Sequence, residues 1–509
     1  MSNETMKSEI KGNQQQLSEL RQAIKENPYS YEAYYNLGSR LCDKGLFSEA
    51  ADMLRKAIKL NPDLPRTYNK LGVVLQKANM FQEAAELFTW AVKLKPTYIQ
   101  ALNNLSTALL RTNRLDEAEE CLRQALKLDP QYAKAYNNLG MVLEGKQCYD
   151  EALVCFRKAI ILNPNDAVTY TNLGKLLKEF RQLDEAENCL QRALTIRADS
   201  ANTKLALATL YLLREQYEEG WEAYDDWWSV YNANKQLPIP RWRGEALQGR
   251  RILLFADQGF GDCIHFIRYV PKIAGIASET SVLIQKPLRR LVTVSQFGCN
   301  FIDNTSIDAG AYDFISPLLR LPYIFNTLRE TIPQQIPYLY PGAATVREWN
   351  IKLNKLDGGT RYRIGVVWAG NPAHYNDRNR SIPFDIFRSL FEISGVSWIS
   401  LQKGKKVSDL STTPAKVTDV SGELTDFAET AGVIANLDLV ITVDSAVAHL
   451  AGAMGKKTWI LLPFTPDWRW QLERDDSPWY PTMRLFRQHN FNTWVDVLAR
   501  VKKNVMELL

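Results

Sequence analysis

Proline stands at positions 28, 62, 96, 130 and 164, a step of 34 residues each time. Small residues keep that step at Gly38, Gly72, Ser106, Gly140 and Gly174, and again at Ala50, Ala84, Ala118, Ala152 and Ala186, each alanine preceded by glutamate. Small residues at a fixed interval suit a place where two helices of one unit cross closely, and a proline ends the second helix. Five full units fit, 31–64, 65–98, 99–132, 133–166 and 167–200, the last with Ala198 where proline would fall. A degenerate sixth, 201–234, keeps Leu207, Ala208 and Tyr211 but has Gly220 for the alanine, and reads as a cap that seals the array. Residues 1–30 read as a partial repeat helix ahead of it.

The period and pattern resemble the tetratricopeptide repeat, a helix–turn–helix unit whose copies stack into a superhelix with a concave surface. The sixth position of successive units reads Asn36, Lys70, Asn104, Asn138 and Asn172. A ladder of amides can pair with the N–H and C=O groups of an extended peptide without reading its sequence. Asn36, Asn104, Asn138 and Asn172 are therefore candidate peptide-binding residues. The alternative is that asparagine is simply common at this position of such repeats.

Beyond 234 the period vanishes, and Pro238, Pro240, Gly244 and Gly249 mark a linker over 235–250. Strand and helix patterns then alternate. Ile252 to Phe255, "TSVLIQ" (280–285) and the start of "YDFISPLLRLPYIF" read as strands of one half, 251–358. The pattern restarts after the Gly-Gly pair at 358–359 with "YRIGVVWAG", "SWISLQ", "LDLVITV" and "KTWILL", giving a second half over 359–490, and 491–509 reads as a closing helix. Alternation of this kind implies parallel sheets. Two such halves facing each other place a ligand crevice at the carboxyl ends of their strands.

Other chemistries are disfavoured. A net charge of +5 over 509 residues, with no dense Lys/Arg block, points to neither nucleic acid nor a membrane surface. The polar N-terminus lacks the apolar core of a secretory signal, and no apolar run reaches the ~18 residues of a membrane span. Seven scattered cysteines without C-x-x-C spacing, and only four histidines, suit a reducing cytoplasm and argue against a zinc site. The Asp-Asp pairs at 225–226 and 475–476 lack D-x-D spacing, so no metal is expected from them.

Four stretches in order, "ADQGFGDCIHFIRYVP", "VVWAGNPAHYNDRNRSIP", "LVITVDSAVAHLAGAMG" and "PDWRWQLERDDSPWYPTMRLFRQ", resemble the bacterial tetratricopeptide-repeat glycosyltransferases, whose catalytic half is similar to glycosyltransferase family 9, the heptosyltransferase type. The resemblance covers nearly the whole chain. It implies an α superhelix followed by an α/β GT-B fold of two Rossmann-like domains, and a metal-independent, inverting transfer from a nucleotide-sugar without a cofactor.

At the second-half corner a strand ending at Val443 and a helix beginning near Ser445 aim unpaired N–H groups into the crevice, where the helix dipole favours a diphosphate. The resemblance puts Ser445 and Ala446 against the donor phosphates. Asp444 is expected to turn away as an N-cap, since a carboxylate would repel that ligand. His449, one turn on, either packs or touches phosphate. In the first half, Gly259-Phe260-Gly261-Asp262 lacks the third glycine of a dinucleotide fingerprint, which argues against NAD. The resemblance makes Asp262 the catalytic base that takes the acceptor proton; the alternative is an N-cap aspartate. His265 either shares the acceptor pocket or packs. Arg380 falls where the related enzymes carry a phosphate-binding lysine, and its fork suits phosphate oxygens; Arg378 lies beside it, and a solvated surface arginine is the alternative. Gln402 and Lys403 end a strand at the same crevice and are expected to face the nucleoside. Trp468, Trp470, Trp479 and Tyr480 either stack on the ligand or pack at the domain junction, and Arg469 with Asp475 and Asp476 either binds hydroxyls or does the same.

The combination predicts a cytoplasmic glycosyltransferase with a protein or peptide acceptor held by the repeats, and homo-oligomerisation through the repeats is open. A glycan, lipid or small-molecule acceptor, with the repeats serving for assembly, is the second reading. A non-catalytic scaffold is the third.

Overall fold

The computed structural model describes residues 3–231, 237–256, 259–302, 307–358, 362–374, 376–413 and 417–509. Parts of the expected linker (235–236), of the sixth unit (232–234), of the first Gly-rich loop (257–258) and Gly359 lie outside the described residues. The chain divides into two compact units, Met1–Leu176 and Leu177–Leu509. The division falls inside the helix Ala167–Glu179.

The first unit is built from helical pairs. After Asn3–Glu26 come Tyr31–Asp43 with Phe47–Leu60, Pro65–Lys77 with Phe81–Leu94, Ile99–Arg111 with Leu115–Leu128, and Ala133–Gly145 with Tyr149–Leu162. The small residues sit where the two helices of a pair meet. A Cβ added to Gly72 or Gly140 would come within 2.6 Å of the Phe88 or Phe156 ring, and Ala84 and Ala152 are fully buried. The turn inside each pair holds one residue at positive φ: Gly45, Asn79, Asn113 and Gln147. These too are 34 residues apart, although only the first is glycine.

The second unit continues the pattern with the helices Leu183–Ile196, Ala201–Leu213 and Tyr217–Tyr231. A wholly parallel sheet follows, formed by β1 (Arg251–Phe255), β2 (Glu279–Leu283), β3 (Asn300–Ile302) and β4 (Phe314–Pro317), in the order β3-β2-β1-β4. A second parallel sheet holds β5 (Tyr362–Val367), β6 (Val396–Ser400), β7 (Val417–Asp419), β8 (Leu439–Val443), β9 (Thr458–Leu462) and β10 (Met483–Arg487), in the order β10-β9-β8-β5-β6-β7. Each order reverses beside its first strand, between β1 and β4 and between β5 and β8, which opens a crevice at the strands' carboxyl ends. Strands β8 and β9 are buried along their whole length, which is why they are continuous apolar runs in the sequence. The short strands β3 and β7, and β10 with its two arginines, carry no such run and escape a reading by pattern.

The last repeat helices are fastened to this α/β region. Trp221 Nε1 donates to the Thr327 carbonyl at 2.8 Å, Asp225 pairs with Arg241 and Arg320, and Thr465 Oγ1 donates to the Glu179 carbonyl at 2.8 Å. The helix Trp494–Met506 closes the chain. Among the described residues no helix is long and apolar enough to cross a membrane.

Candidate functional site

A cavity of about 770 Å³ lies within the second unit, where the carboxyl ends of β1, β5, β6, β8 and β9 converge. Its walls include Asp262 after β1, Gly370 and Arg380 after β5, Gln402 and Lys403 after β6, the Asp444–Val447 corner after β8, and Asp467 and Arg469 after β9. One further wall comes from repeat helices, through Lys178, Glu179, Thr209 and Leu213. No local pattern marks that wall, because these residues occupy ordinary positions of their repeats.

Two helix N-termini meet at the cavity. Phe260–Phe266 follows β1 and Ala446–Ala453 follows β8. They approach so closely that a Cβ on Gly261 would stand 2.9 Å from His449 Cδ2. Gly261 is therefore small for contact with the opposite helix. Gly259 is the N-cap of its helix, so Asp262 is not the cap but lies in the first turn, where its carboxylate accepts from the Gly259 N–H. Its Oδ1 also accepts from Arg469 Nη2 at 2.6 Å. Burial pushes the Asp262 carboxyl above its usual range, and the Arg469 charge works against that shift.

Asp444 corrects the expected N-cap. Ser445 holds the cap position, and its side chain makes no capping bond; its hydroxyl stands 3.1 Å from Thr442 Oγ1. Asp444 instead lines the cavity, with Oδ1 3.9 Å from His449 Nε2. Burial, reinforced by the neighbouring Asp467 carboxylate, pushes Asp444 up to about 6. Ser445 and Ala446 line the cavity as expected.

Arg380 lies on the wall, with Nε 3.3 Å from Asp377 Oδ1. The space it occupies exists because Gly370 has no side chain: an added Cβ would meet Asp377 Oδ1 at 2.4 Å and Arg380 Nε at 2.7 Å. His449 is buried, stacks on Trp470 and is pushed by that burial down to about 3, so it is neutral. It both packs and lines the cavity. The Tyr480 hydroxyl stands 3.0 Å from Nδ1 of His449 and 3.0 Å from Nδ1 of His265.

Several expectations change. His265 is fully buried among Phe266, Trp468, Trp479 and Tyr480 and is not part of the cavity wall, so it packs. Gln402 does not offer its amide to a ligand. Its Oε1 accepts from the N–H groups of Trp368 and Ala369, and its Nε2 donates to the carbonyls of Ala369 and Lys403, so it ties the end of β5 to the end of β6. Lys403 lines the cavity while its Nζ donates to the Ser421 carbonyl at 2.7 Å. Trp470, Trp479 and Tyr480 are buried packing residues, whereas Trp468 reaches the wall. Asp476 pairs with Arg474. Among the described residues, no group of three or more His, Cys, Asp or Glu side chains is placed to hold a metal ion.

In the first unit Asn104, Asn138 and Asn172 do form a ladder, but each bonds to the fifth-position asparagine of the preceding repeat. Asn104 Nδ2 donates to Asn69 Oδ1 at 3.0 Å, Asn138 Nδ2 to Asn103 Oδ1 at 2.9 Å, and Asn172 Nδ2 to Asn137 Oδ1 at 3.0 Å. Each amide thus staples one repeat to the one before it. Asn36 is exposed on the helix Tyr31–Asp43.

Residues 3–231 match the family described as the cilia and flagella-associated protein 70 C-terminal domain. Residues 403–491 match glycosyltransferase family 9 (heptosyltransferase), a stretch that holds the Asp444-Ser445 corner and Arg469 but neither Asp262 nor Arg380. Protein FlbA of Caulobacter vibrioides is 27% identical over 329 residues, 58% of this chain. The match takes in 54% of FlbA, so the chain spans about half the length of that relative. Among solved structures, PilF of Pseudomonas aeruginosa is 23% identical, over 40% of this chain and 93% of that one, with a TM-score of 0.35. YrrB, described as a TPR protein with an unusual peptide-binding site, is 24% identical, over 36% of this chain and 95% of that one, with a TM-score of 0.30.

Proposed function

We propose, for a chain that joins tetratricopeptide-type repeats to a glycosyltransferase family 9 domain of the bacterial kind, that its α/β region is a GT-B unit of two Rossmann-like domains, 251–358 and 359–490, catalysing inverting sugar transfer from a nucleotide-sugar. One observation carries the reading. A carboxylate (Asp262), a cation (Arg380) and a helix N-terminus (Ser445 and Ala446) from different strand ends line one cavity. Those are the three groups such a transfer needs.

The acceptor's proton passes to Asp262 as its oxygen or nitrogen attacks the anomeric carbon from the face opposite the leaving group. The bond from that carbon to phosphate oxygen breaks, and a nucleoside diphosphate leaves. Arg380 and the N–H groups at the start of Ala446–Ala453 offset its growing charge, with no metal required. Asp444, taking its proton near pH 6, can meet the diphosphate as a neutral hydrogen-bond donor. The expected result is that wild-type protein is stabilised against heat by one class of nucleotide-sugar, and releases the matching nucleoside diphosphate. A panel that gives neither effect with any nucleotide-sugar overturns the reading.

The acceptor is read as a protein or peptide. Repeats of this type suit an extended chain, and the cavity itself has a wall made by repeat helices, at Glu179 and Thr209. Asn104 and Asn172 each spend one of their two Nδ2 hydrogens on the ladder, which leaves the second N–H and the carboxamide oxygen for a bound peptide. Changing Asn104, Asn138 and Asn172 together to alanine is expected to slow transfer to protein acceptors about tenfold or more, while leaving donor hydrolysis unaltered. The triple variant also loses four inter-repeat hydrogen bonds, at about 1 kcal/mol each, so the comparison is made well below its unfolding temperature. Unchanged transfer would remove the ladder from acceptor binding.

A further inference from the structure

Asp262 and Arg469 belong to different sheets. The carboxylate stands on the helix after β1, and the arginine on the turn Trp468–Trp470 after β9. Arg469 Nη2 donates to Asp262 Oδ1 at 2.6 Å and Nη1 donates to Asp467 Oδ1 at 2.9 Å. Asp467 caps the same turn by accepting from the Arg469 backbone N–H at 3.1 Å. The guanidinium lies over Trp468, 4.3 Å from the ring centre, and over Phe266 at 5.3 Å. Its side chain is 7% exposed, against 31% for Asp262. The arginine is thus fixed by two carboxylates and two rings, and it leaves both carboxylates reachable, Asp467 being 31% exposed as well.

We propose that Arg469 is the positioning residue of the transfer step, holding Asp262 as an ionised carboxylate of fixed orientation across the junction of the two sheets. The proposal rests on the reading of Asp262 as the base. A carboxylate in a buried site tends to take up a proton and so to lose its basicity; a fixed cation opposes that. The guanidinium spends one Nη on each carboxylate, and that split fork sets a direction which the single charged point of a lysine does not. One oxygen of Asp262 is committed to Arg469, but a carboxylate has about four lone-pair sites, so the acceptor proton still has a place to go. Because the two groups come from separate sheets, the base is complete only when the sheets are together. No local pattern marks the pair, since 207 residues separate its members.

The other charged groups around Asp262 set the sign of the test. Asp467 raises its pKa and Arg380 lowers it, while Asp444, the neutral His449 and Glu179 line the same cavity. Removing Arg469 takes away the largest lowering influence, so the pKa of Asp262 rises and the acid limb of the rate profile moves to higher pH. Arg469→Gln is therefore expected to slow turnover about 10²-fold at neutral pH, with the deficit shrinking as pH rises and nucleotide affinity held within a few-fold. Arg469→Lys should recover part of the rate. In an Asp262→Asn background the glutamine change should cost little more, because the two residues act as one unit. A deficit equal at every pH, or full additivity with Asp262→Asn, overturns the proposal. A readout free of turnover keeps it separate from the function itself. Infrared difference spectra over pH, with the Asp262 carboxyl band identified by its loss in Asp262→Asn, should show that band persisting to higher pH in Arg469→Gln. An unmoved band overturns the proposal even if the protein proves to transfer no sugar.

Discussion

Replacing Asp262 with asparagine is expected to lower turnover by about 10²–10⁴-fold, the usual span for a lost general base, while nucleotide affinity holds within a few-fold. Asparagine keeps the shape, and its side-chain oxygen can still accept from the Gly259 N–H, so the helix Phe260–Phe266 should survive. What it cannot do is take a proton or balance Arg469. The guanidinium would keep Asp467 and lose one of two charged partners in a buried place, which predicts a lower unfolding temperature as well. Rates should therefore be compared well below that temperature, alongside calorimetric binding of the nucleotide. Retained turnover would end the assignment of Asp262 as base. Lost nucleotide binding would move the residue into the donor site.

Arg380→Ala carries the second large effect. If the guanidinium offsets leaving-group charge, its removal should slow transfer by about 10²–10³-fold. Gly370 offers an independent route to the same end. Its Cα faces the space filled by Arg380 and Asp377, and an added methyl would come within 2.7 Å of Arg380 Nε and Nη2. Gly370→Ala should thus push the arginine out of place and reproduce most of the loss without removing any charge. Activity within a few-fold of wild type in both variants would exclude Arg380 from the chemistry.

The repeats were legible because their small residues answer to a local geometry: helices that cross closely need Gly72 beside Phe88 and Gly140 beside Phe156, and the same need returns every 34 residues. The strands β5, β8 and β9 were legible because both faces are buried. The strand-to-helix corners at Asp262 and Ser445 were visible as breaks in apolar runs. The rest depends on partners far along the chain. Nothing near Gln402 announces that its amide bonds to the backbone of residues 368 and 369, more than thirty positions earlier. The asparagine ladder was readable as a row, but its pairing, 35 residues apart, follows only once adjacent repeats are stacked. Asp444 was misplaced by a local argument, since the capping rule does not say which of two neighbouring polar residues turns outward.

The hydroxyl of Tyr480 has one proton to give and two imidazoles to satisfy. It can donate to one Nδ1 and must accept an N–H from the other, so His265 and His449 are opposite tautomers. Burial decides which is which. Nε2 of His265 is buried with no hydrogen-bond partner, and a bare lone pair there costs less than an unpaired N–H. His265 therefore carries its proton on Nδ1, the Tyr480 hydroxyl points at His449, and His449 carries its proton on Nε2, the nitrogen nearest Asp444. A single O–H direction in the core thus determines that the imidazole edge facing Asp444 is a donor.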